Sequence, residues 1–452
     1  MNATVAFTSL GCDKNRVDSE VMLGILCKNG YRIVIDEKEA DIIVINTCCF
    51  IKDALEESIE TILEMAEYKK TGRCKGLIVA GCLGQRYEKE IFQEMPEVDA
   101  VIGTASYESV AKIIERILNG ENNIKELVDI NTAMIESNAK NRMISTANYY
   151  AYLKISEGCD NHCTYCVIPQ IRGRHRSRTI ESLVEETEIL AKQGVKEIVI
   201  VAQDSSIYGR DLYGESKLHI LLEKLCEVEG IEWIRLLYCY PETLTEQTIQ
   251  VMAKQPKICH YIDLPIQHGS DTVLKRMGRK STQSILKQKI TKLRQAMPDI
   301  AIRTTFIVGF PNETEQEFQE LIDFIKEIRF DKLGVFTYSQ EEGTPAASME
   351  NQIEEDVKQK RKDIAMEVQK AISAQHCESQ IGSIKQVIVE GKLPEQDIYC
   401  GRTMKDAPDI DGLVFFSSKQ ELISGDFVKV FIKQASDYDL IGELFYADES
   451  GE

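Results

Sequence analysis

Three cysteines on one short stretch, Gly158-Cys159-Asp160-Asn161-His162-Cys163-Thr164-Tyr165-Cys166, carry the clearest chemistry in the chain, and their spacing is C-x3-C-x2-C. Three thiolates on one loop can ligate three irons of a 4Fe–4S cluster and leave the fourth iron open to a ligand, which it can bind and reduce. A zinc site normally wants a fourth protein donor. The one at hand, His162, is adjacent to Cys163 and so points elsewhere. A redox dithiol would use only two of the three thiols. Three thiols this dense are hard to explain as core filler.

Three more thiols stand out by position. Cys12 follows the strand-like run Val5–Leu10, Cys48 follows Asp41–Asn46, and Cys82 follows Leu77–Ala80. The carboxyl ends of parallel strands share one edge, where ligands bind, so thiols distant in sequence can converge there. Convergence predicts a second 4Fe–4S cluster, again with one iron unligated by protein, against the alternative of inert buried thiols. Cys49 is as well spaced as Cys48 for this role. Cys27 in a helical pattern, Cys74 before a strand, and Cys226, Cys239 and Cys259 without spacing partners read as structural thiols.

The elements that must position these groups fall into three blocks. In the first, short apolar runs (Val5–Leu10, Ile33–Ile35, Asp41–Asn46, Leu77–Ala80, Asp99–Ile102) alternate with amphipathic stretches (Asp18–Lys28, Ala54–Tyr68, Gln85–Glu94, Ser109–Leu118). Strands alternating with helices predict an α/β domain, a doubly wound parallel sheet covered on both faces, over residues 1–140. After the polar stretch Glu136–Asn148, six strand-like runs recur with helical patterns between them: Ala151–Ser156, Glu197–Ala202, Ile234–Cys239, Tyr261–Ile266, Ala301–Val308 and Leu333–Tyr338. They predict a partial (β/α)6 barrel over residues 141–375, whose site lies at the carboxyl ends of its strands. Cys159 begins right after the first of these runs. Gln203 and Asp204, Gln267 and His268, and Gly309 end others on the same rim. Gly309 would let backbone approach a nucleoside closely, or it is a turn glycine ahead of Pro311.

Arg172, Arg174, Arg176 and Arg178 form a basic island that could clamp a carboxylate or be a solvated loop. The charged pattern Asn351–Gln380 predicts a long helix along the barrel. Five short alternating runs then follow: Ser383–Glu390, Asp397–Thr403, Gly412–Phe416, Phe427–Lys433 and Leu440–Phe445. They predict a small OB-like β-barrel over residues 378–446.

C-x3-C-x2-C with Tyr165 before the last cysteine resembles the radical S-adenosylmethionine (SAM) enzymes. In that family the open iron chelates SAM through its amino and carboxylate groups, and one electron splits it to methionine and a 5′-deoxyadenosyl radical. The resemblance implies that the second and fifth strand ends help seat SAM, which nominates Gln203 and Gly309; Arg303 is a third candidate if its register turns it toward a carboxylate. Ser9-Leu10-Gly11-Cys12-Asp13-Lys14-Asn15, Asn46-Thr47-Cys48 and Gly81-Cys82 resemble the amino-terminal domain of methylthiotransferases. In that family the matching thiols hold the auxiliary 4Fe–4S cluster, which selects Cys48 over Cys49. Asn15 and Asn46 would steady the cluster loops or serve as ordinary turn residues. The end of the chain, with Asp411-Gly412-Leu413-Val414, resembles the TRAM domain.

Within the family, Ser9 to Glu20 is most similar to the branch that adds a methylthio group to the β-carbon of an aspartate in small-subunit ribosomal protein twelve. The tRNA-modifying branch has a Tyr-Gly-Cys-Gln-Met-Asn type of sequence there. The resemblance implies two 4Fe–4S clusters, SAM as both radical source and methyl donor, and an electron donor as partner. The protein substrate would be met free or on the ribosome, with a tRNA adenosine as the alternative substrate. The rival of another class is a zinc-stabilised binding module without catalysis.

Charge supports a protein substrate. The chain has 54 Lys and Arg against 73 Asp and Glu, a net charge of −19. From Ile381 to Glu452 there are seven Lys/Arg and fourteen Asp/Glu, a balance of −7. Such a barrel suits a basic protein better than a phosphate backbone, so nucleic acid is not the expected substrate. No apolar run approaches a membrane span and Met1-Asn2-Ala3-Thr4 carries no export pattern, so a cytoplasmic protein is expected. Fourteen cysteines then point to metal ligation in a reducing compartment, not to disulfides.

Overall fold

The computed structural model describes residues 3–131, 142–394 and 396–446. Residues 136–141 of the polar stretch, and with them the expected boundary at 140, lie outside the described residues.

The first unit is a six-stranded sheet of β1 (Thr4–Ser9), β2 (Arg32–Val34), β3 (Ile42–Thr47), β4 (Gly76–Gly81), β5 (Ala100–Ile102) and β6 (Ile124–Glu126), in the order β2-β1-β3-β4-β5-β6. Every pairing is parallel. All residues of β3 and β4 are buried, because helices cover both faces of the sheet. Alternation sends Ile43, Ile45, Leu77 and Val79 to one face against Ile62 and Leu83, and Ile42, Val44 and Ile78 to the other against Met22 and Ile114. The order reverses at β1, so the loops after β1 and β3 open at a topological switch point.

Three local expectations shift. The first helix runs Asp13–Lys28, with Cys12 as its extended N-cap, and so begins five residues before the Asp18 start read from periodicity. The pattern Gln85–Glu94 splits into helices Cys82–Arg86 and Glu88–Glu94, which makes Cys82 the first residue of a helix. The edge strand β6, Ile-Lys-Glu, is too short and too charged to have signalled itself.

The second unit is a parallel sheet of β7 (Tyr150–Lys154), β10 (Glu197–Val201), β11 (Trp233–Leu236), β12 (Ile258–Asp263), β13 (Ala301–Val308) and β14 (Lys332–Thr337), laid side by side in sequence order. This is the partial barrel. A two-stranded antiparallel ribbon, β8 (Ser156–Glu157) with β9 (Arg176–Ser177), frames the cysteine loop. Ala151, Leu153, Ile198 and Ile200 face the helices. Tyr150, Tyr152, Val199, Val201, Trp233 and Tyr261 face the concave side. The long helix, Glu355–Glu378, packs on the barrel through Ala365 and Ile372.

The third unit is a closed barrel of β15 (Ile384–Lys392), β16 (Ile398–Thr403), β17 (Val414–Ser417), β18 (Phe427–Ala435) and β19 (Leu440–Leu444). It sits under the starts of the larger barrel's strands. Glu197 Oε2 accepts from Arg402 at 2.7 Å and its Oε1 from Arg235 at 2.7 Å, all three side chains fully buried. The segment between β16 and β17 reaches the concave face. Arg235 donates to the Met404 carbonyl at 2.8 Å and Tyr261 to Asp411 at 2.7 Å. The two mouths of the large barrel are thus dressed by different units, the small barrel at the strand starts and the first unit at the strand ends. Among the described residues no helix is long and apolar enough to cross a membrane.

Candidate active site at the domain junction

Cys12, Cys48 and Cys82 leave the ends of β1, β3 and β4 onto one edge. Gly11 takes φ +87°, and a Cβ there would sit 3.0 Å from the Cys48 sulfur, so the Cys12 loop lies directly on Cys48. The loops are tied by buried amides: Asn15 Nδ2 donates to the Leu10 and Thr47 carbonyls at 2.7 and 3.1 Å. Asn46 Nδ2 donates to the Asn15 carbonyl at 2.9 Å and to Ser19 Oγ at 2.8 Å. Both asparagines therefore brace loops instead of simply turning the chain. Cys49 is fully buried in the sheet–helix core with Ile62, Leu83 and Cys82. Cys48 stays at the edge, where burial and the charges of Cys82 and Cys12 push its thiol up to about 12. Such a group holds its proton until a cation replaces it.

The second set lies on the loop after β8. The Cys159 sulfur accepts from the Asn161 backbone N–H and from Asn161 Nδ2, both at 3.5 Å. Asn161 Nδ2 also reaches Asp204 at 2.9 Å. The Tyr240 hydroxyl lies 3.7 Å from the Cys163 sulfur, and the Arg279 guanidinium stacks 4.2 Å from the Tyr240 ring centroid. Burial pushes Cys159 up to about 11 and Cys166 to about 12, the neighbouring thiols adding to it. His162 is exposed. Among the described residues no three His, Cys, Asp or Glu side chains close on a single-ion point. Soft sulfur donors, three to a set, suit the several irons of a cluster.

One buried ionic knot joins the two sets. Arg172 Nη1 donates to Asp18 Oδ2 at 2.8 Å and to Glu157 Oε2 at 3.0 Å. Its Nη2 donates to Asn15 Oδ1 at 2.9 Å and to the Cys82 sulfur at 3.5 Å. Lys154 completes the knot on Asp18 and on Glu157 Oε2, the latter at 2.7 Å. Burial would raise Glu157, but Arg172 and Lys154 outweigh it and hold the carboxyl well below its usual range. Glu20 accepts from Arg142 at 2.7 Å, and Arg142 donates to Glu186 at 2.6 Å. Arg178 pairs with Glu186 at 2.5 Å. So the basic island does clamp carboxylates, but Arg172 and Arg178 clamp those of the chain itself. Arg174 is exposed, and Arg176 donates to the carbonyls of Ile130, Arg172 and Arg174.

The expected rim residues are placed as follows. Gln203 Nε2 donates to Glu157 Oε1 at 2.7 Å, while its buried Oε1 has no partner among the described residues. Gly309 takes φ +72°, and the group that needs its missing Cβ is the Lys358 side chain from the long helix. Arg303 faces the concave side, where it donates to Asp263 at 3.0 Å and lies 3.8 Å from Asp411 of the small barrel. Sequence reasoning missed Glu157, Asp18, Asn161, Tyr238, Tyr240 and Arg279. The first two sit at motif edges and could have been flagged as charges inside apolar strand and helix patterns. Asn161 lies inside the cysteine loop, while Tyr238, Tyr240 and Arg279 carry no local signal.

Residues 4–103 match a family described as "Uncharacterized protein family UPF0004", residues 153–325 match the Radical SAM superfamily, and residues 381–445 match the TRAM domain. The radical SAM methyltransferase TsrM from Kitasatospora setae shares the fold with TM-score 0.56 at 14% identity, over 76% of this chain and 77% of that one. Sheet, cysteine loop and family match together define a radical SAM enzyme, with an iron–sulfur cluster and SAM as its cofactors. Full-length similarity narrows the class. A protein of Lachnoclostridium phytofermentans named ribosomal protein uS12 methylthiotransferase RimO is 53% identical over 97% of this chain and 99% of its own length. Proteins of the same name from Acetivibrio thermocellus and Clostridioides difficile are 51% and 48% identical, each over 98% of this chain and 99% of their own. The chain belongs to the RimO family of radical SAM methylthiotransferases.

Proposed function

We propose that the enzyme adds a methylthio group to the β-carbon of an aspartate in ribosomal protein uS12. The relatives reported above carry the ribosomal-protein name, which does not favour a tRNA adenosine. The observation that carries the reading is the pair of thiol sets flanking one buried junction. Arg172 touches Cys82 on one side and, on the other, Glu157, two residues before Cys159.

In this reading Cys159, Cys163 and Cys166 hold the cluster that engages SAM, and Cys12, Cys48 and Cys82 hold an auxiliary 4Fe–4S cluster. When bound, these groups supply the electron, the hydrogen-abstracting radical and the methylthio group for a C–H bond that no side-chain base deprotonates readily. The chain's own part is to hold the two loops in register, through Arg172, Asn15 and Asn46, and to keep water out with the first unit. Gln203 and Gly309 are proposed to seat SAM. Arg303 would join them only by exchanging Asp263 for a ligand carboxylate. SAM would serve as radical source and as methyl donor, and an external electron donor is required. The proposed units are 1–140, 141–375 and 378–446, in a cytoplasmic protein that meets uS12 free or on the ribosome.

The test is mass spectrometry of uS12 after anaerobic incubation with reconstituted enzyme, SAM and reductant. A methylthio group on one aspartate is expected. Replacing Cys12, Cys48 and Cys82 with Ala should abolish that mark while SAM cleavage persists. A mark retained by this variant, or a mark on tRNA alone, would overturn the reading.

A further inference from the structure

Lys14 is nine-tenths buried, at 7% exposure, and forms no hydrogen bond or ion pair among the described residues, although its ammonium is not itself sealed from solvent. It rests 3.3 Å from the centroid of the Tyr238 ring. A π face attracts a cation but does not neutralise it, and a buried charge is retained where an anion completes it.

The surroundings of Lys14 say where such an anion would lie. Lys14 is two residues past Cys12. Tyr238 donates through its hydroxyl to Asp13 at 3.1 Å and through its backbone N–H to Asp263 at 3.2 Å. Tyr238 holds φ +58°, a left-handed conformation costly for an aromatic residue and typical of functional sites. Two residues on, Tyr240 reaches the Cys163 sulfur. The tail of β11 therefore runs from one thiol set to the other, and Lys14 lies on it.

Resting on the reading above, we propose that Lys14 binds the side-chain carboxylate of the substrate aspartate and selects it over an amide. The acceptor β-carbon is bonded directly to that carboxylate. A carbon brought to the Cys12 side of the junction carries its charge to within reach of Lys14. In a chain of net charge −19, an incoming anion is repelled elsewhere and needs a local cation. Asn in place of Asp leaves the β-carbon with the same C–H bonds, so discrimination between the two reports recognition and not chemistry.

The experiment compares wild type with Lys14→Met, both reconstituted and assayed for iron and sulfide, on uS12 and on uS12 carrying Asn at the modified position. Wild type should prefer Asp by about tenfold or more in kcat/KM, the scale of one lost charged hydrogen bond. In Lys14→Met the native substrate should lose that factor, chiefly as a higher KM, and the preference should collapse to within about twofold. Lys14→Arg should recover part of it. An intact Asp preference in Lys14→Met overturns the proposal, as does a loss of SAM affinity with the preference intact, which would put Lys14 on SAM's carboxylate. If Lys14→Met loses its iron, wild type alone decides, because equal turnover of Asp and Asn substrates means no cation reads the charge. Failure of wild type to modify native uS12 would instead sink the substrate reading, and this proposal with it.

Discussion

Arg172→Gln should loosen the junction between the first unit and the large barrel. The guanidinium side chain is 2% exposed, and Asp18, Glu157 and Lys154 are 5%, 6% and 4% exposed. Glutamine keeps polarity but removes the positive charge, leaving two buried carboxylates to one ammonium. Taking one partner from a buried pair costs about 3–5 kcal/mol, because the remaining charge is stranded. Asp18 belongs to the helix Asp13–Lys28 and Glu157 to the barrel side, so that cost falls on their docking. Amide hydrogen exchange of the cofactor-free protein reads it directly. Helix Asp13–Lys28 and strand β7 should exchange roughly 10²–10⁴-fold faster wherever docking limits exchange, while Val387–Val389 in the small barrel should not change. Adding Asp18→Asn removes one stranded charge and should restore part of the protection. Unchanged exchange in the helix and β7 would refute the claim that the knot holds the junction.

Three further outcomes follow from the geometry. Glu317 accepts from both Nη atoms of Arg276, at 2.8 and 2.9 Å, and from Thr272 at 2.6 Å; although burial raises it, these bonds hold it down to about 2. A depressed carboxyl stabilises above its ordinary value near 4.5 and loses that contribution as pH falls toward 2. The unfolding free energies of wild type and Glu317→Gln should thus differ by at most about 3 kcal/mol near neutrality and converge as pH falls through 2. Arg402→Met should take one of the two arginines from Glu197 and the partner from Glu390, costing about 1.5–3 kcal/mol and exposing the connection 379–383 to limited proteolysis. Gly11→Ala should drive a Cβ onto Cys48 and force a left-handed alanine, halving the iron retained after reconstitution.

Much of the site was legible because its chemistry is local. C-x3-C-x2-C declares itself within eight residues, and apolar runs ending in Cys12, Cys48 and Cys82 place those thiols at strand ends. Alternating apolar patterns likewise foretold the order of the large sheet. What stayed hidden is long-range or depends on register. Arg172 and Asn15 are 157 positions apart, and nothing in either neighbourhood says that they meet. The direction of Arg303 followed from the pairing of β12 with β13, Asp263 beside Arg303. Lys358 beside Gly309 required the long helix to return across the rim. Tyr238 in a left-handed conformation has no sequence sign, since Gly, Asn or Asp would be the residues expected there.

The central claim is that one polypeptide holds two tetranuclear centres on opposite sides of a buried junction. The direct measurement is iron and sulfide content, with EPR, after anaerobic reconstitution of wild type, of the Cys12/Cys48/Cys82→Ala variant and of the Cys159/Cys163/Cys166→Ala variant. The account predicts about eight irons in wild type and about four in each variant, with distinct spectra for the two remaining clusters. About four irons in wild type, with all of them lost in one variant and none in the other, would contradict it.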